Sequence, residues 1–253
     1  MSWLLRVTII FVGGALALAT IASAASDPGQ NVQATGTVLL ALYRSSPTLV
    51  QRLFVDDIDN EFFPLEPGTT FIYEGTKDGV PTRNETEVTH RTFRLLNVEC
   101  AVVRDRAFES NVLVEDTFDY YAQDRSGNVW YFGEDTKELD AKGNVISTEG
   151  SWRAGVNGAA PGLIMEAHPK PGDLYYQELA AGVAEDQASV RSLNGSSCTP
   201  FDCFDHLLRT RETSRFEPGV LEQKYYAKHV GFVRSDIISG GNEHSALVRI
   251  QHH

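Results

Sequence analysis

The spacing of hydrophobic positions changes character along the chain. Residues 7 to 25 form an uncharged run of apolar and small residues. Thr37–Leu42 and Thr48–Val55 follow as short apolar clusters, which predict short helices packed against the outside of a sheet. From Phe62 onward, apolar and polar residues alternate with a period of two, the signature of strands with one buried face. This alternation predicts strands at Thr69–Glu74, Asn84–Leu95, Val98–Phe108, Val145–Arg153, Asp173–Leu179, Val183–Leu193, Phe204–Arg211, Leu221–Lys228 and Glu243–Gln251, with another after the turn at His229. Pro, Gly, Asp and Asn punctuate the intervals, as turns require. The predicted fold class is all-β: an antiparallel meander forming a barrel or half-barrel with a central apolar cavity and a short N-terminal helical lead-in. The predicted organisation is a leader over 1–24, a lead-in over 25–60 and a single β-barrel-like domain over 61–253.

The stretch Asp116–Glu134 reads as two aromatic strands joined by a turn at Asp124–Asn128. Alternation sends Phe118 and Tyr120 to one face, and Asp119, Tyr121 and Gln123 to the other. Trp130, Phe132 and Glu134 likewise alternate with Val129 and Tyr131. Rings on both faces predict that one face packs the core while the other lines a ligand cavity, or else that the rings form a stabilising cross-strand ladder. Asp140–Asn144 repeats the Asp-x-x-Gly-Asn form of the first turn sixteen residues later, as consecutive hairpins of a meander would. Arg104 and Arg106 share one face of their strand and Asp105 takes the other. Turned inwards, Arg104 would need a carboxylate such as Asp119 or Glu134. The Gly/Ala/Pro loop over 154–162 runs into Leu163–His168 and suits either a lid over the cavity or an ordered surface crossing.

The net charge of -12 over 253 residues argues against nucleic acid, since phosphates need a basic surface. Arg6, the apolar run and Ala22-Ser23-Ala24 have the form of a cleavable secretory leader, with an uncleaved anchor just long enough to span a bilayer as the alternative, and they send the protein into the secretory pathway or outside the cell. No later stretch is long and apolar enough to span a membrane, so no stable insertion is expected once the leader is removed. Asn84-Glu-Thr86 and Asn194-Gly-Ser196 are glycosylation acceptors in form. Cys198 and Cys203 are close enough in sequence for a local disulfide, and Cys100 reads as a buried apolar filler. The carboxylates of Asp56–Asn60 lack the spacing of a calcium loop and read as a solvated turn. No metal site, nucleophile elbow, phosphate loop or dinucleotide fingerprint is present, so the sequence implies no cofactor.

Five stretches carry a resemblance: Phe-Phe-Pro-Leu-Glu-Pro-Gly-Thr-Thr-Phe at 62–71, Val-Glu-Asp-Thr-Phe-Asp-Tyr-Tyr-Ala-Gln-Asp at 114–124, Gly-Asn-Val-Trp-Tyr-Phe-Gly-Glu-Asp-Thr at 127–136, Gly-Ser-Trp-Arg-Ala-Gly-Val-Asn-Gly-Ala at 150–159 and Lys-Tyr-Tyr-Ala-Lys-His-Val-Gly-Phe-Val at 224–233. Over Phe62 to about Val233 the chain resembles a family of secreted bacterial and fungal β-proteins. Asp119-Tyr120-Tyr121 stands where bacterial members commonly have Asp-Trp-Tyr. Within that group the chain is similar to the fungal hetero-Diels-Alderases of tropolone-sesquiterpene biosynthesis. The resemblance implies a cofactor-independent reaction in which a hydroxymethyl tropolone loses water and the resulting o-quinone methide joins a humulene-type alkene. It carries no catalytic motif across residue by residue. The candidate site therefore comes from pattern alone: Asp119, Arg104 and Tyr121 as catalytic or anchoring groups, and Trp130, Trp152, Met165 and Tyr176 as apolar walls. The expected partners are apolar small molecules. The rival readings are a carrier for lipophilic molecules, which keeps the cavity but returns its ligand unchanged, and a structural envelope protein with a filled core.

Overall fold

The computed structural model describes the backbone from Pro28 and side chains from Thr35 through to His253. The expected leader lies outside the described residues. Helices α1 (Pro28–Ser45) and α2 (Pro47–Gln51) form the lead-in, so the first apolar cluster belongs to one longer helix. Pro47 suits the first turn of α2, where its missing N–H is no loss.

The first half of the sheet comprises β1 (Phe54–Val55), β2 (Thr69–Lys77), β3 (Val80–Leu95), β4 (Val98–Glu109), β5 (Val112–Asp124) and β6 (Val129–Asp135). Short pieces follow: β7 (Glu138–Leu139), β8 (Val145–Ser147), β9 (Trp152–Arg153), β10 (Gly162–Met165) and β11 (Leu174–Tyr176). The second half is β12 (Asp186–Cys198), β13 (Cys203–Ser214), β14 (Leu221–Ala227), β15 (Gly231–Ser239) and β16 (Glu243–His252). β2 to β6 and β12 to β16 are two antiparallel meanders, and β16 pairs with β2 to join them into one 16-stranded sheet. β10 and β11 are its two ends.

The sheet is not closed by a continuous ladder. Its ends touch through an isolated bridge between Ala160 and Leu179, where the Ala160 amide donates to the Leu179 carbonyl at 3.0 Å. Helix α1 packs against this seam and buries Leu39 and Leu40. Gly36 permits the approach, because a Cβ there would come within 2.3 Å of the Pro161 carbonyl oxygen. The half-barrel thus matches the predicted class, with a helix over the opening.

The two Asp-x-x-Gly-Asn turns share one geometry. Asp124 Oδ1 accepts from the amides of Ser126 and Asn128, as Asp140 Oδ1 does from Lys142 and Asn144. Cys198 and Cys203 form the expected disulfide across the β12–β13 turn, and Cys100 is fully buried.

Of the two readings of the 154–162 loop, the ordered crossing fits the structure: Ala154, Ala159 and Ala160 are buried, and the loop leads into β10, where Leu163 and Met165 are buried in pairing with β6. Two expectations need correction. The alternation predicted for Trp130–Glu134 breaks at a bulge: Tyr121 faces Tyr131, but Tyr120 faces Gly133, leaving Phe132 as the extra residue. Gly133 makes this possible with φ 133°, and a Cβ there would lie 2.2 Å from the Trp152 carbonyl oxygen. Glu134 consequently shares the inner face with Tyr131. Finally, Asn84 is buried mid-strand, at 8% exposure, with Nδ2 directed at Asp105 Oδ1 at 3.4 Å. Asn194 is exposed and its Oδ1 lies 3.0 Å from His206 Nδ1.

Candidate functional site: an apolar cavity with an acidic floor

Inside the half-barrel lies a cavity of about 90 Å³. Phe63, Leu65, Phe71, Tyr73, Val103, Tyr121, Ile164 and Phe232 supply its apolar wall. Asp105, Asp119 and Lys224 supply polar groups. The wall follows from strand alternation: Phe71 and Tyr73 on β2, Val103 and Asp105 on β4, Asp119 and Tyr121 on β5, and Lys224 and Tyr226 on β14 are inward pairs two residues apart. Tyr121 stacks on Tyr131 at 4.7 Å between ring centroids and meets Phe63 edge-on at 5.4 Å.

The inner face is unusually rich in buried carboxyl groups. Asp105, Asp119, Glu134, Glu178, Asp186, Glu212 and Glu222 are each 5% exposed or less, and Lys224, at 9%, is the one basic side chain buried among the described residues. Lys224 Nζ lies 2.8 Å from Glu212 and 3.4 Å from Glu222. Burial works against this ammonium, but the two carboxylates outweigh it and hold its pKa above the usual lysine range. Glu212 Oε1 also accepts from Thr210 and Tyr226 hydroxyls at 2.9 and 3.2 Å. Burial lifts Glu222 to about 7, against the pull of Lys224.

A second cluster surrounds Asp119. The Tyr131 hydroxyl lies 2.5 Å from Asp119 Oδ1 and 3.0 Å from Glu134 Oε2. One hydroxyl proton serves one acceptor, so the pair of short contacts calls for a proton on a carboxyl group. Burial supplies it by raising Asp119 to about 7, although the Tyr131 hydrogen bond acts in the opposite sense. Near neutral pH Asp119 therefore stands between its protonated and ionised forms. Burial also drives the Tyr131 hydroxyl well above the ordinary tyrosine range, so it stays protonated. Beyond Tyr131, Trp152 Nε1 donates to Glu178 Oε1 at 3.3 Å. Asp186 is raised by burial and then by Glu178, and a small cleft of about 20 Å³ joins this group to Glu212 and Lys224.

The predicted site residues divide sharply. Asp119 and Tyr121 line the cavity. Arg104 does not: it stands on the outer face, bidentate to Asp116 at 2.7 and 3.0 Å, with its guanidinium 5.5 Å above the Phe118 ring. Alternation placed Asp105 inside and hence both neighbouring arginines outside, which spares the core an extra buried cation. Trp130 closes the hairpin end by donating Nε1 to Asp124 Oδ2 at 2.8 Å. Trp152 packs edge-on to Tyr131 at 5.5 Å, behind the cavity wall. Met165 fills the core beside Val129, and Tyr176 sits on the end strand β11. None of these four lines the cavity. The pattern reading missed Lys224, Tyr131, Glu178, Asp186 and Glu212. Glu222-x-Lys224-x-Tyr226 was the available signal, a polar row at strand spacing that resembles a solvent face.

No protein-family model matches the chain, and no curated protein does. Similar solved structures include a Bacteroides fragilis protein described as exported and of YmcC-like fold, with 15% identity over 76% of this chain and 99% of its own, at a TM-score of 0.43. Another is a Parabacteroides distasonis protein described as a lipoprotein, with 12% identity over 78% of this chain and all of its own, at a TM-score of 0.42. None of these comparisons links the chain to the fungal hetero-Diels-Alderases.

Proposed function

We propose that this protein is an exported binding protein for a single small lipophilic molecule, held inside the half-barrel. The observation that carries the reading is the cavity itself: an apolar wall of aromatic and aliphatic side chains with a few convergent polar groups. At about 30 Å³ per water, its volume of about 90 Å³ corresponds to roughly three waters. It is thus sized for a short alkyl chain or a single ring, below the roughly 300–1,000 Å³ that buries drug-sized ligands. The disulfide and the leader-like N-terminus fit an oxidising destination. Among the described residues no helix is long and apolar enough to cross a membrane.

The test is an amide-resolved NMR titration of the wild type and Ile164→Trp with 1-hexanol. Ile164 faces the cavity from β10, so an indole there fills it. Saturable shifts around Tyr73, Tyr121 and Phe232, abolished in the variant, support binding inside. No shifts, or shifts that survive the blocked cavity, reject it.

One observation favours a catalytic second reading. Asp119, titrating near 7 at the cavity wall, is chemically suited to protonate a hydroxyl leaving group and drive loss of water. The hetero-Diels-Alderase reading uses this acid, with Tyr121 as wall. It needs the cavity to open for two terpenoid-sized reactants. Incubation with a hydroxymethyl tropolone and a humulene alcohol, read by chiral chromatography, separates the two readings: a single stereoisomer formed faster than in buffer supports catalysis, and racemic background supports the binding protein.

A further inference from the structure

We infer that the cavity selects an apolar amine, with the ammonium seated against Asp119 and the apolar body among Phe63, Tyr73, Tyr121 and Phe232. This inference rests on the binding reading above and specifies its ligand.

The argument is one of charge. A buried ligand head must meet a partner of opposite sign or a hydrogen-bonding group, because it leaves its water behind. Among the described residues the single buried cation facing the cavity, Lys224, already holds Glu212 and Glu222 at 2.8 and 3.4 Å. It has no charge left for a carboxylate ligand. A fatty acid would add another anion beside Asp105 and Asp119, both in the cavity wall. An ammonium instead meets a wall that carries two carboxyl groups, Asp105 and Asp119, and one cation already paired with Glu212 and Glu222. These carboxyl groups do not converge as a metal site would: among the described residues no three His, Cys, Asp or Glu side chains are placed to hold an ion. The two in the cavity wall, Asp105 and Asp119, sit among aromatic and aliphatic side chains, which suits a molecule with one charged end and a hydrophobic remainder.

Asp119 also makes the affinity depend on pH. The groups facing it are Tyr131 and Glu134 from β6, Asp105 from β4, Tyr121 from its own strand and Lys224 from β14, with Glu115 of its own strand and Glu178 adding like charge. Free Asp119 titrates near 7. An amine stays protonated well above that pH, so binding displaces the Asp119 proton at pH 6 and meets an already ionised carboxylate at pH 8. With a pKa near 7, ionised Asp119 is about tenfold more abundant at pH 8 than at pH 6, and amine affinity follows it.

The experiment is calorimetric titration of the full chain with hexylamine, 1-hexanol and hexanoate, at pH 6 and pH 8 in about 0.15 M salt to screen the acidic surface. The expected order is amine, then alcohol by at least tenfold, then no detectable hexanoate binding. Hexylamine should bind about tenfold more tightly at pH 8 and release close to one proton at pH 6. Asp119→Asn should reduce hexylamine to the level of hexanol and abolish the pH dependence. Ile164→Trp should remove all binding, so amine binding that survives it is surface attraction and overturns the inference. Equal or better binding of the alcohol or carboxylate by the wild type also overturns it, while leaving the binding reading intact. If none of the three compounds binds, the binding reading fails as well. The wild-type series decides the matter even if Asp119→Asn folds poorly.

Discussion

Replacing Asp119 with Asn should flatten the pH dependence of folding stability by one proton. Asp119 is 1% exposed, and burial raises its pKa from the ordinary 3.8 to about 7. A carboxyl group raised by folding contributes its full stability below its unfolded pKa. That contribution is lost as pH rises through the folded pKa. The window for Asp119 therefore runs from about 4 to about 7. At ~1.4 kcal/mol per pH unit, the gap of roughly three units sets a ceiling of roughly 4 kcal/mol lost by pH 8. Asn has nearly the same shape, accepts the Tyr131 hydrogen bond and carries no proton to lose. Glu222 and Asp186 are shifted in the same direction but remain in both proteins, so the comparison cancels them. Urea unfolding of both proteins at half-unit steps from pH 4 to pH 8 reads the effect. With m of roughly 2–3 kcal/mol/M, the gap between the midpoints should change by about 1–2 M in favour of the variant as pH rises. Parallel midpoint curves would show that Asp119 ionises as freely in the folded protein as in the unfolded chain, and would refute the reasoning.

Other consequences are sharper in size than in mechanism. Lys224→Met strands Glu212 and Glu222, so it should cost about 3–5 kcal/mol at pH 8. Because Glu222 can take up a proton instead, the urea midpoint should recover partly at pH 5. Gly133→Ala places a Cβ 2.2 Å from the Trp152 carbonyl at a φ of 133°, and a loss of about 3 kcal/mol or more is expected in the same assay. Replacing Cys198 and Cys203 together by Ser opens a loop whose ends are five residues apart. A loss of roughly 2 kcal/mol should follow, with hexanol binding unchanged.

Period-two alternation made the strands legible, because one inward face requires it. It also placed Asp119 and Tyr121 correctly on that face. Two physical facts hid the rest. First, the bulge at Phe132–Gly133 rotates Glu134 onto the same side as Tyr131, and the need for glycine there arises from the approach of β9, a contact distant in sequence. Second, Lys224, Glu212 and Asp186 are polar residues at inward positions, and polar residues at strand spacing ordinarily mark solvent. Their burial depends on one another: Lys224 is tolerable inside only with Glu212 and Glu222 beside it. The tryptophans misled for the opposite reason. Trp130 and Trp152 have hydrogen-bond acceptors in Asp124 and Glu178, so they fit the core as structural residues and leave the cavity wall to Phe and Tyr. Arg104 misled because its strand was long enough for either face to be the inner one, and the buried Asp105 decided it.

The account stands on an apolar-walled cavity inside the half-barrel, and a crystal of the protein pressurised with xenon examines that claim directly. Xenon enters dry apolar cavities and leaves polar, hydrated ones. The predicted result is a xenon peak enclosed by Phe63, Tyr73, Tyr121 and Phe232, absent from Ile164→Trp. Ordered water throughout that space, with no xenon in it, would contradict the account.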